Sequence, residues 1–276
     1  MSDVPTRIAQ LEVIDLAGLR AHETTELEKL FNSARTSGFF YLNLENDATG
    51  RQIAGMLPDI YRISSDFFHQ PSEEKMKIYR AGQNPSQDRG YKTSSCDETF
   101  EMAYDEVVQK TCPLPELMEE DDGLVDSFSR LCHSTCLVVL SSFSDVLGLL
   151  DDQRFESNHR QGETSDSGLK LISEPTLDKL SQVGDNVHTD SGTLTMLFYD
   201  RWGLEAEQPG GGEWTFPAPM PDCALFNVAD SLQRLSQHQL RSPRHRVTQV
   251  GDGAADRYYI SYFLRPEHAL RERWME

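Results

Sequence analysis

The sequence predicts a mainly β protein with packed helices, and three observations lead to this fold class. Helical spacing of apolar residues dominates up to Leu150, whereas short strand-like runs broken by Gly, Pro, Asp and Asn follow from Leu169 onward. Several short strands at such spacing are typical of a β-sandwich or barrel. The 276 residues are 38% hydrophobic and 26% charged, which excludes a disordered chain and suits a single domain of barrel type.

The N-terminal half is predicted to hold peripheral helices around one buried strand. Residues 25–37 place apolar side chains at helical spacing, and Gly38 is suited to end that helix. Residues 39–44 (FFYLNL) are aromatic and apolar, as expected of a strand buried by its neighbours. A second helix is predicted over residues 50–68, and Pro71 opens a short charged helix after it.

The longest helix is predicted over residues 127–150, which are apolar at many positions and contain no proline. We expect this helix to be largely buried against the main sheet. The strand-like runs that come after it cover residues 193–199, 213–216, 224–228, 246–250 and Arg257–Leu264.

The formal charge of −19 at pH 7 argues against polyanionic partners. Nucleic-acid binding depends on Lys and Arg that neutralise phosphates, so no nucleic-acid partner is predicted. The same charge repels anionic lipids, and no apolar run approaches the roughly 20 residues of a membrane-spanning helix, so no membrane partner is predicted. An anionic small molecule would need a local cation inside its binding site.

The cysteines are interpreted as reduced thiols because they are odd in number and lack the paired spacings of zinc sites or disulfide frameworks. They are Cys96, Cys112, Cys132, Cys136 and Cys223. Cys132 and Cys136 stand at i and i+4 of the longest predicted helix and are expected to be small buried apolar residues. The N-terminal residues show no basic start or apolar core of a secretion signal, so a cytoplasmic protein is predicted.

Two imidazoles and one carboxylate form the candidate metal site. In an extended chain, His188 and Asp190 of the His188-Thr189-Asp190 motif point to the same side, so both can bind one ion. His245 follows 55 residues after Asp190, at the head of a strand-like run that a folded sheet can bring beside the pair. Two His and one carboxylate on one side of a metal leave the opposite positions open, an arrangement typical of iron(II) oxygenases.

Extended stretches around these ligands resemble the isopenicillin N synthase-like branch of the 2-oxoglutarate- and iron(II)-dependent dioxygenases. The resemblance covers most of the chain. The matching stretches are residues 187–198 (VHTDSGTLTMLF), 225–247 (LFNVADSLQRLSQHQLRSPRHRV), 37–40 (SGFF), 67–75 (FFHQPSEEK) and 89–92 (RGYK). It implies a double-stranded β-helix (jelly-roll) core over residues 165–268 that binds the metal, with an N-terminal cap region of helices and strand over residues 1–120, in one domain of residues 1–276.

The resemblance also implies the activity. The expected enzyme consumes 2-oxoglutarate and dioxygen, releases succinate and carbon dioxide, and oxidises a C–H bond of a small specialised-metabolite substrate by hydroxylation, desaturation or ring closure. Iron(II) and 2-oxoglutarate are the implied cofactor and cosubstrate. His188, Asp190 and His245 are then the metal ligands and the catalytic residues, and the protein supplies positioning and water exclusion.

Three further residues are predicted to bind the cosubstrate. In the family, the Arg of an R-x-S motif pairs with the far carboxylate of 2-oxoglutarate, and Arg257 occupies that position. Tyr259 replaces the Ser, so its hydroxyl can bond the cosubstrate or its ring can fill the space that the diacid needs. Lys170 is the second candidate cation. Glu174 stands where relatives carry a Tyr and would repel the cosubstrate unless it is paired, for instance with Lys170.

These departures from the family leave other activities open. Tyr259, Glu174 and a short C-terminal segment are also compatible with a non-catalytic or regulatory subunit of a heteromeric dioxygenase, or with an oxidase that, like isopenicillin N synthase, needs no 2-oxoglutarate. A homo- or hetero-oligomer with a related chain is left open as well. Leu264, Leu270 and Trp274 are then the predicted docking surface.

Overall fold

Two β-sheets form the framework of the computed structural model, which describes residues 5, 7–83, 87–94, 97–119, 123–174, 186–248 and 256–270. The strands are β1 (Val13–Asp15), β2 (Phe39–Asn43), β3 (Gly90–Thr93), β4 (Glu98–Ala103), β5 (Gly168–Glu174), β6 (Leu194–Tyr199), β7 (Leu204–Glu207), β8 (Trp214–Thr215), β9 (Cys223–Val228), β10 (His245–Val247) and β11 (Arg257–Leu264). The large sheet has the order β1-β2-β9-β6-β11-β5-β4-β3, and the small sheet has the order β10-β7-β8.

Helices pack against one face of the large sheet. They are α1 (Leu16–Arg20), α2 (Thr24–Thr36), α3 (Ala48–Phe68), α4 (Ser72–Met76), α5 (Tyr104–Gln109), α6 (Glu116–Glu119), α7 (Leu124–Val146) and α8 (Asp230–Leu235), with two short 3-10 helices at Asp151–Gln153 and Phe155–Asn158. The long helix α7 contacts β6 and β11 as well as α2 and α3. The predicted fold class of helices around a jelly-roll core is thus confirmed.

Period-two alternation gives β11 two different faces. Ile260, Tyr262 and Leu264 point into the core beneath the helices. Tyr259 points the opposite way, into a second apolar cluster that residues of both sheets share. Arg257 lies two positions before Tyr259 and therefore faces the same interior. This space between the sheets is where the candidate site lies.

The predicted elements mostly match the structure within a few residues. The long helix ends at Val146, four residues before its predicted end, because Gly148 takes a left-handed φ of 63° and Leu150 lies outside the core at 70% exposure. Strands β1, β3, β4 and β7 were not predicted. The region predicted as the cap therefore also supplies both edges of the large sheet, β1 and β2 at one and β3 and β4 at the other.

The exposure of individual side chains tests two predictions, the buried cysteines and the C-terminal docking surface. Cys132 and Cys136 are free and fully buried, as predicted. The predicted docking surface is wrong for Leu264 and Leu270, whose exposures are 0% and 6%, because both pack inside the fold. Trp274 lies outside the described residues. Within the described part of the chain, no helix is long and apolar enough to cross a membrane.

Candidate metal centre

A backbone bridge brings the two histidines together. The amide N–H of His188 donates to the carbonyl of His245 at 3.0 Å, and the amide N–H of His245 donates to the carbonyl of His188 at 2.9 Å. The bridge joins the segment that precedes β6 to the first residue of β10. As a result, the centroids of the two imidazole rings lie 4.3 Å apart.

Asp190 completes the cluster, and its two oxygens have different roles. Oδ1 lies 3.7 Å from Nε2 of His245 and 3.9 Å from Nε2 of His188. Oδ2 accepts hydrogen bonds from Oγ1 of Thr195 at 2.6 Å and from Nδ2 of Asn227 at 2.8 Å. One potential ligand atom from each of the three residues lies within 4.8 Å of the others. The three side chains predicted to share an ion are therefore adjacent.

Hydrogen bonds to backbone carbonyls orient both imidazoles. Nδ1 of His188 lies 2.7 Å from the carbonyl oxygen of Asn186, and Nδ1 of His245 lies 3.2 Å from that of Pro243. A carbonyl oxygen only accepts, so Nδ1 of each ring carries the proton and Nε2 keeps its lone pair. Metal-ligating histidines are commonly held by such a bond on the second ring nitrogen. The donor set therefore fits a divalent metal.

The charge states in the cluster also suit a cation. Burial alone would raise the pKa of Asp190, but His245 and the hydrogen bonds from Thr195 and Asn227 keep this pKa below its ordinary value. Burial lowers the pKa of His245, and the nearby Asp190 offsets this only in part. An ionised carboxylate and a neutral imidazole are the forms that bind a metal.

The cluster is buried on one side and open on the other. The side chains of Asp190 and His245 are 11% and 9% exposed, whereas that of His188 is 50% exposed. The ring of Phe39 meets His245 edge to face, at 5.8 Å between centroids and an interplanar angle of 84°. Phe39 thus supports the buried imidazole, and the His188 side gives access from solvent.

Arg257 and Tyr259 lie deeper in the interior, and both reach the turn between β6 and β7. Arg257 is 1% exposed, and its Nε donates a hydrogen bond to the carbonyl of Trp202 at 3.2 Å. Tyr259 is 3% exposed, and a β-carbon added to Gly203 would overlap its hydroxyl oxygen. The predicted anchor and the Tyr that replaces the family's Ser therefore end at neighbouring residues.

Lys170 pairs with acidic residues other than Glu174, the partner that was considered from the sequence. Its ammonium donates to Asp88 and lies 3.9 Å from a carboxylate oxygen of Glu101. In the register of β5 and β11, Glu174 is opposite Arg257. Burial and the facing Asp97 raise the pKa of Glu174 to about 8, against the opposing effect of Lys170. Burial thus favours the neutral form of Glu174, which repels an anion less than a carboxylate does.

The sequence reasoning missed the residues that hold the ligands in place. Thr195 and Asn227 were within the stretches that resemble the family, but neither was assigned a role. A signal was available, because both belong to predicted strands and, in the observed register, they stand directly opposite each other on β6 and β9. The carbonyls of Asn186 and Pro243 carry no sequence signal, since any residue supplies a carbonyl.

Comparisons with known proteins agree with this geometry. The sequence model described as 2OG-Fe(II) oxygenase superfamily matches residues 139–266, and the one described as non-haem dioxygenase in morphine synthesis N-terminal matches residues 11–124. A 2-oxoglutarate-dependent dioxygenase of Gibberella zeae is 35% identical over 94% of this chain and 80% of its own length. Another, of Glarea lozoyensis, is 33% identical over 94% of this chain and 80% of its own length.

Solved structures show the same fold. A full-length Neurospora crassa protein, in complex with alpha-KG and 5-formyluracil, superposes with a TM-score of 0.77 at 22% identity, over 97% of this chain and 88% of its own. The Arabidopsis thaliana dioxygenase for auxin oxidation 1, in complex with 2-oxoglutarate, superposes with a TM-score of 0.74 at 19% identity, over 94% of each chain.

Proposed function

Since the chain belongs to the 2OG-Fe(II) oxygenase superfamily, we propose that His188, Asp190 and His245 hold its iron(II) for the oxidation of a C–H bond in a small molecule. Of the activities left open by the sequence, the comparisons support a 2-oxoglutarate-dependent dioxygenase. The observation that carries the site assignment is the convergence of two Nε2 atoms and one carboxylate oxygen. When bound, iron(II) supplies the redox chemistry that couples dioxygen to the decarboxylation of 2-oxoglutarate.

The chain's own residues orient the reactants and exclude water. His188, Asp190 and His245 would hold the ion through three protein atoms, which would leave further positions for 2-oxoglutarate and dioxygen. Thr195 and Asn227 fix the Asp190 carboxylate, so that Oδ1 is presented to the metal. The apolar interior lined by Leu197 excludes water from the cosubstrate.

Arg257 is proposed to anchor the far carboxylate of 2-oxoglutarate. A buried guanidinium facing the interior supplies the local cation that an anion needs in a chain with a formal charge of −19. The Tyr259 hydroxyl is proposed to lie beside the same carboxylate. Lys170 is a second-ranked candidate for this role, because its ammonium already pairs with Asp88.

The remaining expectations are also proposals. We propose one domain of residues 1–276 with the jelly-roll core over residues 165–268, which is supported by the pairing of β3 and β4 with β5 in one sheet. We propose a small specialised metabolite as substrate and the cytoplasm as compartment. A homo- or hetero-oligomer with a related chain stays a proposal that oligomeric-state measurements test.

The test is to add iron(II) and 2-oxoglutarate to the purified protein without oxygen, and then to admit oxygen. We expect a weak visible charge-transfer band from the chelate, followed by succinate release. His245→Ala should lose the band, whereas the control His22→Ala, which removes a surface imidazole 67% exposed, should keep it. A full band in His245→Ala, or no band in the wild type, would contradict the proposal.

A further inference from the structure

Tyr259 spans the space between the two sheets. It starts from β11 in the large sheet and packs in a cluster that includes Leu197 and Leu225 of the same sheet. The cluster also includes Leu204 and Ala206 of the small sheet. At 3% exposure, the ring is enclosed on all sides, and interiors packed in this way leave little freedom for a ring to move aside.

The far end of the ring fits against a residue without a side chain. Gly203 lies next to β7, and a β-carbon there would overlap the Tyr259 hydroxyl and also lie 2.9 Å from the carbonyl oxygen of Thr248. Thr248 in turn donates its amide N–H to the carbonyl of Gly203 at 2.7 Å. The phenol therefore ends against backbone that is itself held by a hydrogen bond.

Along the paired strands, Tyr259 lies between the residues that support the metal ligands and Arg257. Thr195, which bonds Asp190, and Tyr199 are four residues apart on β6, and Tyr199 is opposite Tyr259 on β11. Arg257 lies two residues farther along β11 and turns to Trp202, beside Gly203. A diacid whose far carboxylate is held by Arg257 would therefore lie next to the Tyr259 ring.

We propose that the Tyr259 ring is the wall that limits the length of the 2-oxo acid accepted as cosubstrate. This inference rests on the proposed function, in which Arg257 receives the far carboxylate. One additional methylene lengthens a diacid by about 1.3 Å, somewhat less than a C–C bond of about 1.5 Å. Because the ring cannot withdraw past Gly203, a six-carbon acid clashes with it where a five-carbon acid fits.

Two substitutions separate the ring from its hydroxyl. Tyr259→Ser removes the ring and restores the Ser of the family's R-x-S motif. Tyr259→Phe keeps the ring and removes only the hydroxyl, so the wall remains. A hydrophobic pocket discriminates one methylene by about 10- to 200-fold, which sets the size of the expected effect.

The experiment titrates 2-oxoglutarate and 2-oxoadipate, which has one more methylene, into the manganese(II)-loaded protein and its variants by calorimetry. The ratio of the two Kd values, 2-oxoadipate over 2-oxoglutarate, should fall at least about tenfold in Tyr259→Ser and stay unchanged in Tyr259→Phe. If Tyr259→Ser does not fold, as judged by circular dichroism, Tyr259→Leu replaces it with the same expectation. An unchanged ratio of the two Kd values in Tyr259→Ser or its replacement Tyr259→Leu overturns this inference but not the proposed function. A fall of the ratio in Tyr259→Phe as large as that in Tyr259→Ser does the same. No binding of either acid to the wild type overturns the proposed function together with it.

Discussion

Asn227 donates a hydrogen bond of 2.8 Å to Oδ2 of Asp190, and this bond turns the other oxygen, Oδ1, toward both imidazoles. Thr195 donates a second bond to the same Oδ2 at 2.6 Å. Both donors come from the large sheet, whereas His245 comes from the small sheet. The geometry of the metal cluster therefore depends on the packing of the two sheets against each other.

Removal of these donors should weaken metal binding without removing a ligand. Thr195→Val keeps the shape of the side chain but loses the hydroxyl, and we expect metal affinity to fall about 10- to 100-fold because Asp190 then keeps only the hydrogen bond from Asn227. Thr195→Ser keeps the hydroxyl and should bind metal like the wild type. Competition with a chromophoric chelator measures the affinity. Equal affinities of the Val and wild-type proteins would show that Thr195 has no such role.

Loss of a ligand itself should be far more severe than loss of its support. Asp190→Ala and His188→Ala each remove one of three proposed protein ligands, and turnover should become undetectable while the fold is kept. Succinate release measures the turnover, and circular dichroism with thermal melting measures the fold. Since His188 is half-exposed, its replacement should change the melting temperature little. Turnover of either variant at the wild-type rate would contradict the site assignment.

The sequence was sufficient to place the candidate ligands, and the candidate anchor with Tyr259, on shared faces. The side chains of His188 and Asp190 are two positions apart, and Arg257 and Tyr259 are two positions apart on β11, so a period of two places each pair on one face. Pairing across the sheets was not predictable in this way. The bridge between His188 and His245 consists of backbone groups, which every residue type has.

The sequence was insufficient where charge depends on tertiary neighbours. Lys170 acts on Glu174 as expected, but its ammonium also donates to Asp88, which belongs to a loop and has no fixed spacing from β5. The protonation of Glu174 likewise follows from its burial and from Asp97 across the sheet. A one-dimensional pattern contains neither the burial nor the cross-strand partner.

Arg257 should control the affinity for 2-oxoglutarate more than the rate at saturation. Arg257→Leu removes the buried cation, and we expect the KM for 2-oxoglutarate to rise about 10- to 100-fold, the value of a charge-assisted bond. Arg62→Leu, at a residue whose side chain is 50% exposed on α3, is the matched control and should leave this KM unchanged. An unchanged KM in Arg257→Leu would move the anchor elsewhere, with Lys170 the next residue to replace.

Glu174 should make the protein less stable at alkaline pH. Its pKa in the folded protein is about 8, whereas the unfolded value is 4.5. Below about pH 4.5 the Glu174 carboxyl is neutral in both states and does not lower the free energy of unfolding. As the pH rises toward 8, the unfolded state ionises first, so the free energy of unfolding decreases. Glu174→Gln removes the ionisation, so its free energy of unfolding should match the wild type near pH 4 and exceed it by roughly 4 kcal/mol at about pH 8.5, since one pKa unit corresponds to about 1.4 kcal/mol. Urea unfolding at both pH values measures the difference, with Glu73→Gln, on the exposed face of α4, as a control that should show none. A difference for Glu174→Gln that is the same at both pH values would mean that this carboxyl titrates normally in the folded protein.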